Sequence, residues 1–66
     1  MKITINDEMR ELPDCISVAE LLNLLDLQGK FVAVERNKQI ISFRHFQETF
    51  LQEGDVLEIV TLVGGG

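Results

Sequence analysis

"SVAELLNLLDL", residues 17–27, is the stretch of sequence that decides the fold. Ser17 and Glu20 have the spacing of a capping box, in which each side chain accepts a hydrogen bond from the other residue's backbone amide. The apolar residues that follow recur at positions i, i+3, i+4 and i+7 and form one stripe: Val18, Leu21, Leu22 and Leu25. The pattern predicts an amphipathic helix over residues 17–27, with Gly29 as its stop, that covers one face of a single sheet.

Segments typical of strands lie on both sides of this helix. Residues 1–5 alternate apolar and polar side chains, as a strand with one buried face does, and residues 9–12 supply a short partner after a turn at Asn6-Asp7. Three more strands are predicted after the helix, over residues 31–35, 39–41 and 56–63, with a tight turn at 36–38. One helix on a mixed sheet of four to five strands is an α+β architecture, and parallel pairing of the first and last strands would leave the C-terminus projecting.

The irregular segment 42–51 contains three phenylalanines. We expect Phe43, Phe46 and Phe50 to plug the core beside the helix.

Composition and charge limit the classes of function. The chain has 66 residues and a net charge of −5, which disfavours nucleic acid as a partner and is compatible with a basic docking face on another protein. Cys15 is the single cysteine, so an internal disulfide is impossible and the compartment is expected to be reducing. No signal peptide and no apolar run of about 20 residues is present, which predicts a soluble cytoplasmic protein without a membrane partner.

Side chains suited to catalysis are few. His45 has no nucleophile or carboxylate partner at a recognisable spacing, and we expect it to be packed or at the surface. Cys15 precedes the predicted helix and is interpreted as a buried structural cysteine rather than a reactive one. The acidic residues 7, 8, 11 and 14 lack the spacing of a calcium loop. The sequence therefore predicts no catalytic residue, no metal site and no cofactor bound by the chain, which is not expected to be an enzyme.

The three glycines at the end of the chain are the remaining candidate site. We divide the chain into a domain over residues 1–63 and a flexible tail over residues 64–66, because glycine is costly to order. A four-residue extended tail reaches about 13 Å, and glycine can enter a channel too narrow for side chains. The ionised carboxylate of Gly66 can attack the α-phosphate of ATP, and the resulting acyl-adenylate can accept a persulfide sulfur.

The last predicted strand carries apolar residues on both of its faces. A single helix covers only one face of a sheet, so Val60 and Leu62 are candidates for an exposed patch that docks on partners. The alternative is that strand ends and the loop over residues 43–50 bury them. The sequence leaves both possibilities open.

The order of elements, together with "VERNKQII" (34–41), "EGDVLEIV" (53–60) and "VGGG" (63–66), resembles the ThiS family of ubiquitin-like β-grasp proteins. The resemblance covers the whole chain. It implies a sulfur carrier of thiamine thiazole synthesis, whose terminal Gly66 is adenylated by a ThiF-type enzyme using ATP and converted to a thiocarboxylate. Gly65 would be its required neighbour, and Gly64 would be an additional tail residue. A persulfide protein and thiazole synthase would be the further partners.

Two other functions fit the same pattern. The small subunit of molybdopterin synthase resembles this chain in fold and chemistry, but such proteins often have a proline before the final glycines, where this chain has Leu62-Val63. A ubiquitin-like binding module or protein modifier is the third possibility.

Overall fold

The fold is described from a computed structural model over residues 1–27 and 31–62. The elements in this part of the chain are β1 (Lys2–Ile5), β2 (Glu8–Glu11), α1 (Val18–Leu24), β3 (Val32–Arg36), β4 (Gln39–Ile41) and β5 (Val56–Thr61), with a 3₁₀ turn at Phe43–His45 between β4 and β5. No helix among these residues has the length and apolar character needed to cross a bilayer.

The strands form one mixed sheet in the order β2-β1-β5-β3-β4. The first and last strands are parallel neighbours, with Thr4 opposite Val56 and Ile5 opposite Leu57, and the other pairs are antiparallel. The predicted α+β architecture and the parallel pairing of the chain's ends are both confirmed. This order places β5 at the centre of the sheet.

The start of α1 follows the sequence prediction. The Ser17 amide donates to Glu20 Oε1 at 2.9 Å, and the Glu20 amide donates to Ser17 Oγ at 3.1 Å, so the capping box is complete. Val18, Leu21 and Leu22 are buried against the sheet.

The end of α1 differs from the prediction, because the helix stops at Leu24 rather than near residue 27. Asp26 adopts the left-handed conformation, with φ of 61°. The Leu27 amide then donates to the Leu22 carbonyl at 2.8 Å, and the Asp26 amide donates to the Asn23 carbonyl at 3.1 Å. These two bonds satisfy carbonyls at the helix end. Asp26 therefore ends the helix in place of Gly29, the predicted stop, which lies outside the described residues.

The core lies between α1 and one face of the sheet. Its buried apolar side chains include Ile3, Ile5, Val18, Leu21, Leu22, Val34, Leu57 and Ile59, and the loops around the helix add Ile16, Phe46 and Leu51.

Of the three phenylalanines expected in the core, only Phe46 is buried. The prediction is wrong for Phe43 and Phe50, which are 58% and 53% exposed. Phe43 packs edge-on against the ring of Phe46 from outside, with centroids 5.7 Å apart. Phe50 pairs with Ser17 in an isolated bridge, and its neighbour Leu51 is buried, with its amide donating to the Ile16 carbonyl at 2.9 Å. Leu51 therefore occupies the core position that Phe50 was expected to fill.

Cys15 is also placed differently from the prediction. Its side chain is exposed rather than buried, in a turn before α1 where its φ is 60°. The turn directs Cys15 outward and brings the next residue, Ile16, into the core.

Both hairpin turns use residues with positive φ. Asn6 and Asp7 connect β1 to β2, and Asn37 and Lys38 connect β3 to β4. The turn predicted at residues 36–38 is thus confirmed, with Asn37 in the conformation that asparagine tolerates.

Candidate functional site

The strand β5 presents different chemistry on its two faces. Leu57 and Ile59 are buried beneath α1, whereas Val56 and Val60 point to the opposite side and are 46% and 58% exposed. Leu62 follows the strand in the same alternation and is 61% exposed. The alternative in which the loop buries Val60 and Leu62 is therefore wrong.

We call the side of the sheet that faces away from α1 the open face. The strand registers place Ala33 opposite Val60, Glu35 opposite Glu58, and Thr4 opposite Val56 on this face. Its exposed apolar side chains are Met9, Ile40, Val56, Val60 and Leu62. They belong to the two edge strands β2 and β4 and to the central strand β5 with the residue that follows it, so the open face carries apolar side chains from edge to edge.

An open depression of about 500 Å³ lies in the middle of this face. It is lined by the side chains of Glu35, Lys38, Val56, Glu58 and Val60. The depression thus combines apolar walls with charged groups. Such a mixture is typical of protein interfaces, where an apolar centre is combined with a few oriented polar groups.

The turn that leads into β5 is held by the carboxylate of Asp55. Asp55 Oδ2 accepts hydrogen bonds from Arg36 Nε at 2.8 Å and from the Gln52 amide at 2.8 Å, and Oδ1 accepts one from Asn37 Nδ2 at 3.1 Å. Burial raises the pKa of this carboxyl, but the bonds from Gln52, Asn37 and Arg36 outweigh burial, so the pKa of Asp55 lies below its usual value.

Asparagine side chains fix the path of β5 beyond this turn. The Val56 amide donates to Asn37 Oδ1 at 3.0 Å, and on the other side of the strand Asn6 makes two hydrogen bonds to the backbone of Ile59. The Leu62 amide donates to the Phe31 carbonyl at 2.7 Å, so antiparallel pairing with the β3 side continues to the last described residue. The open face is therefore built on a strand whose backbone is hydrogen-bonded on both sides.

The predicted tail, Gly64, Gly65 and Gly66, lies outside the described residues, as does Val63. Its role in adenylation and sulfur transfer stays a prediction. Leu62 is the described residue nearest to it, and it belongs to the open face.

The other candidate residues do not form a site. His45 is exposed, and its Nδ1 lies 3.1 Å from Glu48 Oε1, also at the surface. Within residues 1–27 and 31–62, no group of three or more histidine, cysteine or acidic side chains is placed to hold a metal ion.

Sequence reasoning missed Ile40 and Met9 as parts of the open face. Ile40 is followed by Ile41, and two adjacent apolar residues in a short strand do not reveal which of them points inward. Met9 belongs to a strand whose residues are all exposed, so it has no apolar alternation to read. Only the register with neighbouring strands assigns these side chains to a face.

Over residues 1–27 and 31–62 the chain forms a five-stranded mixed sheet that carries one α-helix, with β1 and β5 as parallel neighbours, and this arrangement defines the β-grasp class of ubiquitin-like proteins. Comparison with known sequences gives the family. The chain belongs to the ThiS family, whose profile matches residues 3–66.

Individual relatives agree with this assignment. The sulfur carrier protein ThiS of Bacillus subtilis is 45% identical over 53 residues, which is 80% of each chain. The crystal structure of the thiamine biosynthesis protein ThiS from Geobacter metallireducens superposes with a TM-score of 0.85 at 30% identity and covers both chains completely. A thiazole synthase of Paramagnetospirillum magneticum is 39% identical over all 66 residues, but the chain spans only 20% of that protein's length.

Proposed function

We propose that this chain is a sulfur carrier protein of thiamine biosynthesis and that the carboxylate of Gly66 carries the sulfur. The observation that supports this most directly is the 45% identity to the Bacillus subtilis sulfur carrier over 80% of both chains. The Geobacter metallireducens thiamine biosynthesis protein, which covers the whole chain, supports the same conclusion.

The chemistry we propose proceeds in three steps. The Gly66 carboxylate attacks the α-phosphate of ATP, which releases diphosphate and forms an acyl-adenylate. The terminal sulfur of a protein persulfide then attacks the acyl carbon, AMP leaves, and an acyl disulfide forms. A thiol attacks the sulfur that belonged to the donor protein, so that the thiocarboxylate leaves and a disulfide forms between the thiol and the donor.

This scheme assigns the catalytic side chains to partner proteins. A ThiF-type adenylating enzyme binds ATP and activates the carboxylate, while the carrier binds no cofactor of its own and is not an enzyme. His45 and Cys15 take no part in it. All of these reactions would take place in the cytoplasm.

Thiazole synthase is the partner that we propose as the acceptor of the sulfur. The thiazole synthases of Paramagnetospirillum magneticum and Magnetococcus marinus each contain a stretch, 39% and 38% identical, that matches the full length of this chain. Two modules joined in one polypeptide meet at high effective concentration, which favours the transfer of sulfur from one module to the other. The fusion supports a functional association between the separate proteins.

The open face is the surface that we propose for docking on the adenylating enzyme. Val60 and Leu62 are exposed apolar side chains, and contiguous apolar surface on a small protein marks interaction sites. They are also close in sequence to Gly64–Gly66. Docking through these residues would hold the end of β5 against the enzyme while the tail reaches about 13 Å further to the ATP site.

Intact-mass spectrometry tests the proposal. The purified chain is incubated with ATP and a ThiF-type enzyme, then with a persulfide-bearing donor and a thiol. We expect a transient adenylate, followed by the mass change that corresponds to the exchange of one oxygen for sulfur. Removal of Gly66 by carboxypeptidase should also remove this sulfur. Attachment to lysines of other proteins would instead indicate a modifier, and sulfur delivery to molybdopterin synthase but not thiazole synthase would contradict the assignment to thiamine.

A further inference from the structure

Two carboxylates face each other at the centre of the open face. Glu35 of β3 and Glu58 of β5 are direct cross-strand partners in the antiparallel register. Side chains in this relationship have Cβ atoms about 5 Å apart, and like charges placed so are destabilising. Both side chains line the central depression.

No ion pair within the described residues, 1–27 and 31–62, relieves this repulsion. The ion pairs there join the N-terminus to Glu11 and Asp14 and Arg36 to Asp55, and the His45 ring contacts Glu48. Arg36 is adjacent to Glu35 in sequence but is engaged by Asp55. Lys38 lines the same depression without forming an ion pair to either carboxylate.

The surroundings of the pair are apolar. Val56 and Val60 lie on either side of Glu58 along β5, and Ile40 is the cross-strand partner of Glu35 in β4. A partner that covers these apolar residues also removes water from the two carboxylates. The depression is lined by two carboxylates and one lysine and is therefore net negative, and burying a carboxylate without a counter-charge is strongly unfavourable. A partner surface that brings a cation to this position is favoured.

We infer that the open face docks on an apolar patch of the adenylating enzyme that carries an arginine or lysine at its centre, and that this cation binds between Glu35 and Glu58. The inference rests on the proposed function and names the chemistry of the partner. An arginine guanidinium presents several donors in a planar fork and can bond to both carboxylates. The net charge of −5 favours the approach of such a basic surface.

The same charges oppose a second copy of this chain as the occupant. Face-to-face association about a two-fold axis would bring two Glu35–Glu58 pairs together in a dehydrated contact. The open face therefore requires a basic partner and opposes self-association.

Three variants that each remove one negative charge test the inference. Glu35→Gln and Glu58→Gln change the pair, while Glu8→Gln is the matched control, since Glu8 is exposed and lies opposite the buried Ile5 rather than on the open face. The Kd for a purified ThiF-type enzyme is measured by calorimetry at low and high salt, and the Tm of each variant is measured alone.

We expect Glu35→Gln and Glu58→Gln to bind about tenfold more weakly than the parent, because each loses a hydrogen bond to a charged group. The same variants should melt about 1–4 °C higher than the parent, since cross-strand repulsion is relieved. Glu8→Gln should change the Kd by less than about twofold. The loss for the pair variants should persist at high salt, because a covered ion pair is screened less than long-range attraction.

The remaining outcomes separate the two proposals. If the parent chain itself does not bind the enzyme, the proposed function fails and the inference fails with it. If the parent binds but the pair variants bind as tightly as it does, or lose no more than Glu8→Gln, the inference is wrong and the proposed function stands. Concentration-dependent self-association of the parent in sedimentation experiments would also overturn it.

Discussion

Asn6 forms two hydrogen bonds to the backbone of one residue, Ile59. Asn6 Nδ2 donates to the Ile59 carbonyl at 3.0 Å, and the Ile59 amide donates to Asn6 Oδ1 at 2.8 Å. The parallel register of β1 and β5 ends at Ile5 and Leu57. The Asn6 side chain therefore replaces the next rung of the ladder and holds β5 in place after β1 has turned away.

Replacing Asn6 should destabilise the fold by an amount that depends on the substitution. We expect Asn6→Ala to lower the free energy of unfolding by about 2–4 kcal/mol, since it loses both bonds and places alanine at a φ of 50°. Asn6→Gly tolerates that φ and should cost about 1 kcal/mol less. Urea unfolding measures both.

Asp7 provides the control, because its φ is also positive, at 69°, while its side chain has no hydrogen bond to β5. Asp7→Gly should change the stability by less than about 1 kcal/mol. Equal losses for Asn6→Gly and Asp7→Gly would contradict the role assigned to the Asn6 amide.

The stability that Asp55 contributes should depend on pH. Its folded-state pKa is lowered from 3.8, so its contribution is complete above that value and is lost as the pH falls through the folded-state pKa. We expect Asp55→Asn to cost about 2–3 kcal/mol at pH 7, because the hydrogen bonds from Arg36, Asn37 and Gln52 lose their charged acceptor.

Unfolding curves recorded from pH 7 down to pH 2 check this dependence. The difference in unfolding free energy between the parent and Asp55→Asn should narrow below about pH 4, and Asp26→Asn, at an exposed carboxylate, is the control for removing one negative charge. A gap that stays constant to pH 2 would show that the charge of Asp55 is not what stabilises the turn.

Phe46 and Phe43, in the loop between β4 and β5, should contribute very differently to the stability of the fold. Phe46 is 3% exposed and Phe43 is 58% exposed, although their rings touch. Phe46→Ala should cost about 3–4 kcal/mol through the cavity that it leaves, and Phe43→Ala about 1 kcal/mol or less. Denaturant unfolding measures the free energy of unfolding of both variants. Comparable losses of stability would mean that Phe43 belongs to the core.

Basic substitutions on the open face should weaken docking without unfolding the domain. Val60→Lys and Leu62→Lys each place a charge in the apolar contact and should raise the Kd for a ThiF-type enzyme about tenfold or more. Thr61→Lys is the control, since it makes a similar charge change at an exposed position between them whose side chain points to the other face. The circular dichroism spectra of the three variants should match that of the parent. Loss of structure in Val60→Lys and Leu62→Lys would place these side chains in the core.

The position of the terminal carboxylate should matter for adenylation. Adding one alanine after Gly66 moves the carboxylate about 3.5 Å outward, and deleting Gly66 withdraws it by the same distance. Both variants should fail to form an adenylate with ATP and a ThiF-type enzyme, while thermal melting serves to exclude a folding defect. Sulfur uptake at the parent's rate by the extended variant would rule out Gly66 as the carrier group.

Local sequence signals predicted much of the fold. The capping box at Ser17 and Glu20, the alternation in β1 and the asparagine turns each depend on residues close together in sequence, and each is confirmed. The end of the helix was predicted less well, because an aspartate in the left-handed conformation replaced the expected glycine.

Features that depend on distant residues were harder to predict. The bridge between Ser17 and Phe50 leaves Phe50 exposed and its neighbour Leu51 buried, and this bridge joins residues that are far apart in sequence. The sequence does not decide whether Val60 and Leu62 are exposed, because their exposure depends on what covers the second face of the sheet. The opposition of Glu35 and Glu58 requires the register of two strands that lie far apart in the chain, and no local pattern encodes it.

The hydrogen bonds between Asn6 and Ile59 join residues 53 positions apart, so the centre of the sheet combines a segment that precedes α1 with one that follows β4. During translation β1 and the β1–β2 hairpin leave the ribosome well before β5, so their central neighbour does not yet exist. The nascent chain therefore exposes the apolar sides of β1, α1 and β3 until β5 has emerged. The sheet can therefore be completed only after β5 has been synthesised, and a chain that breaks off before Val56 lacks the strand that joins its two halves.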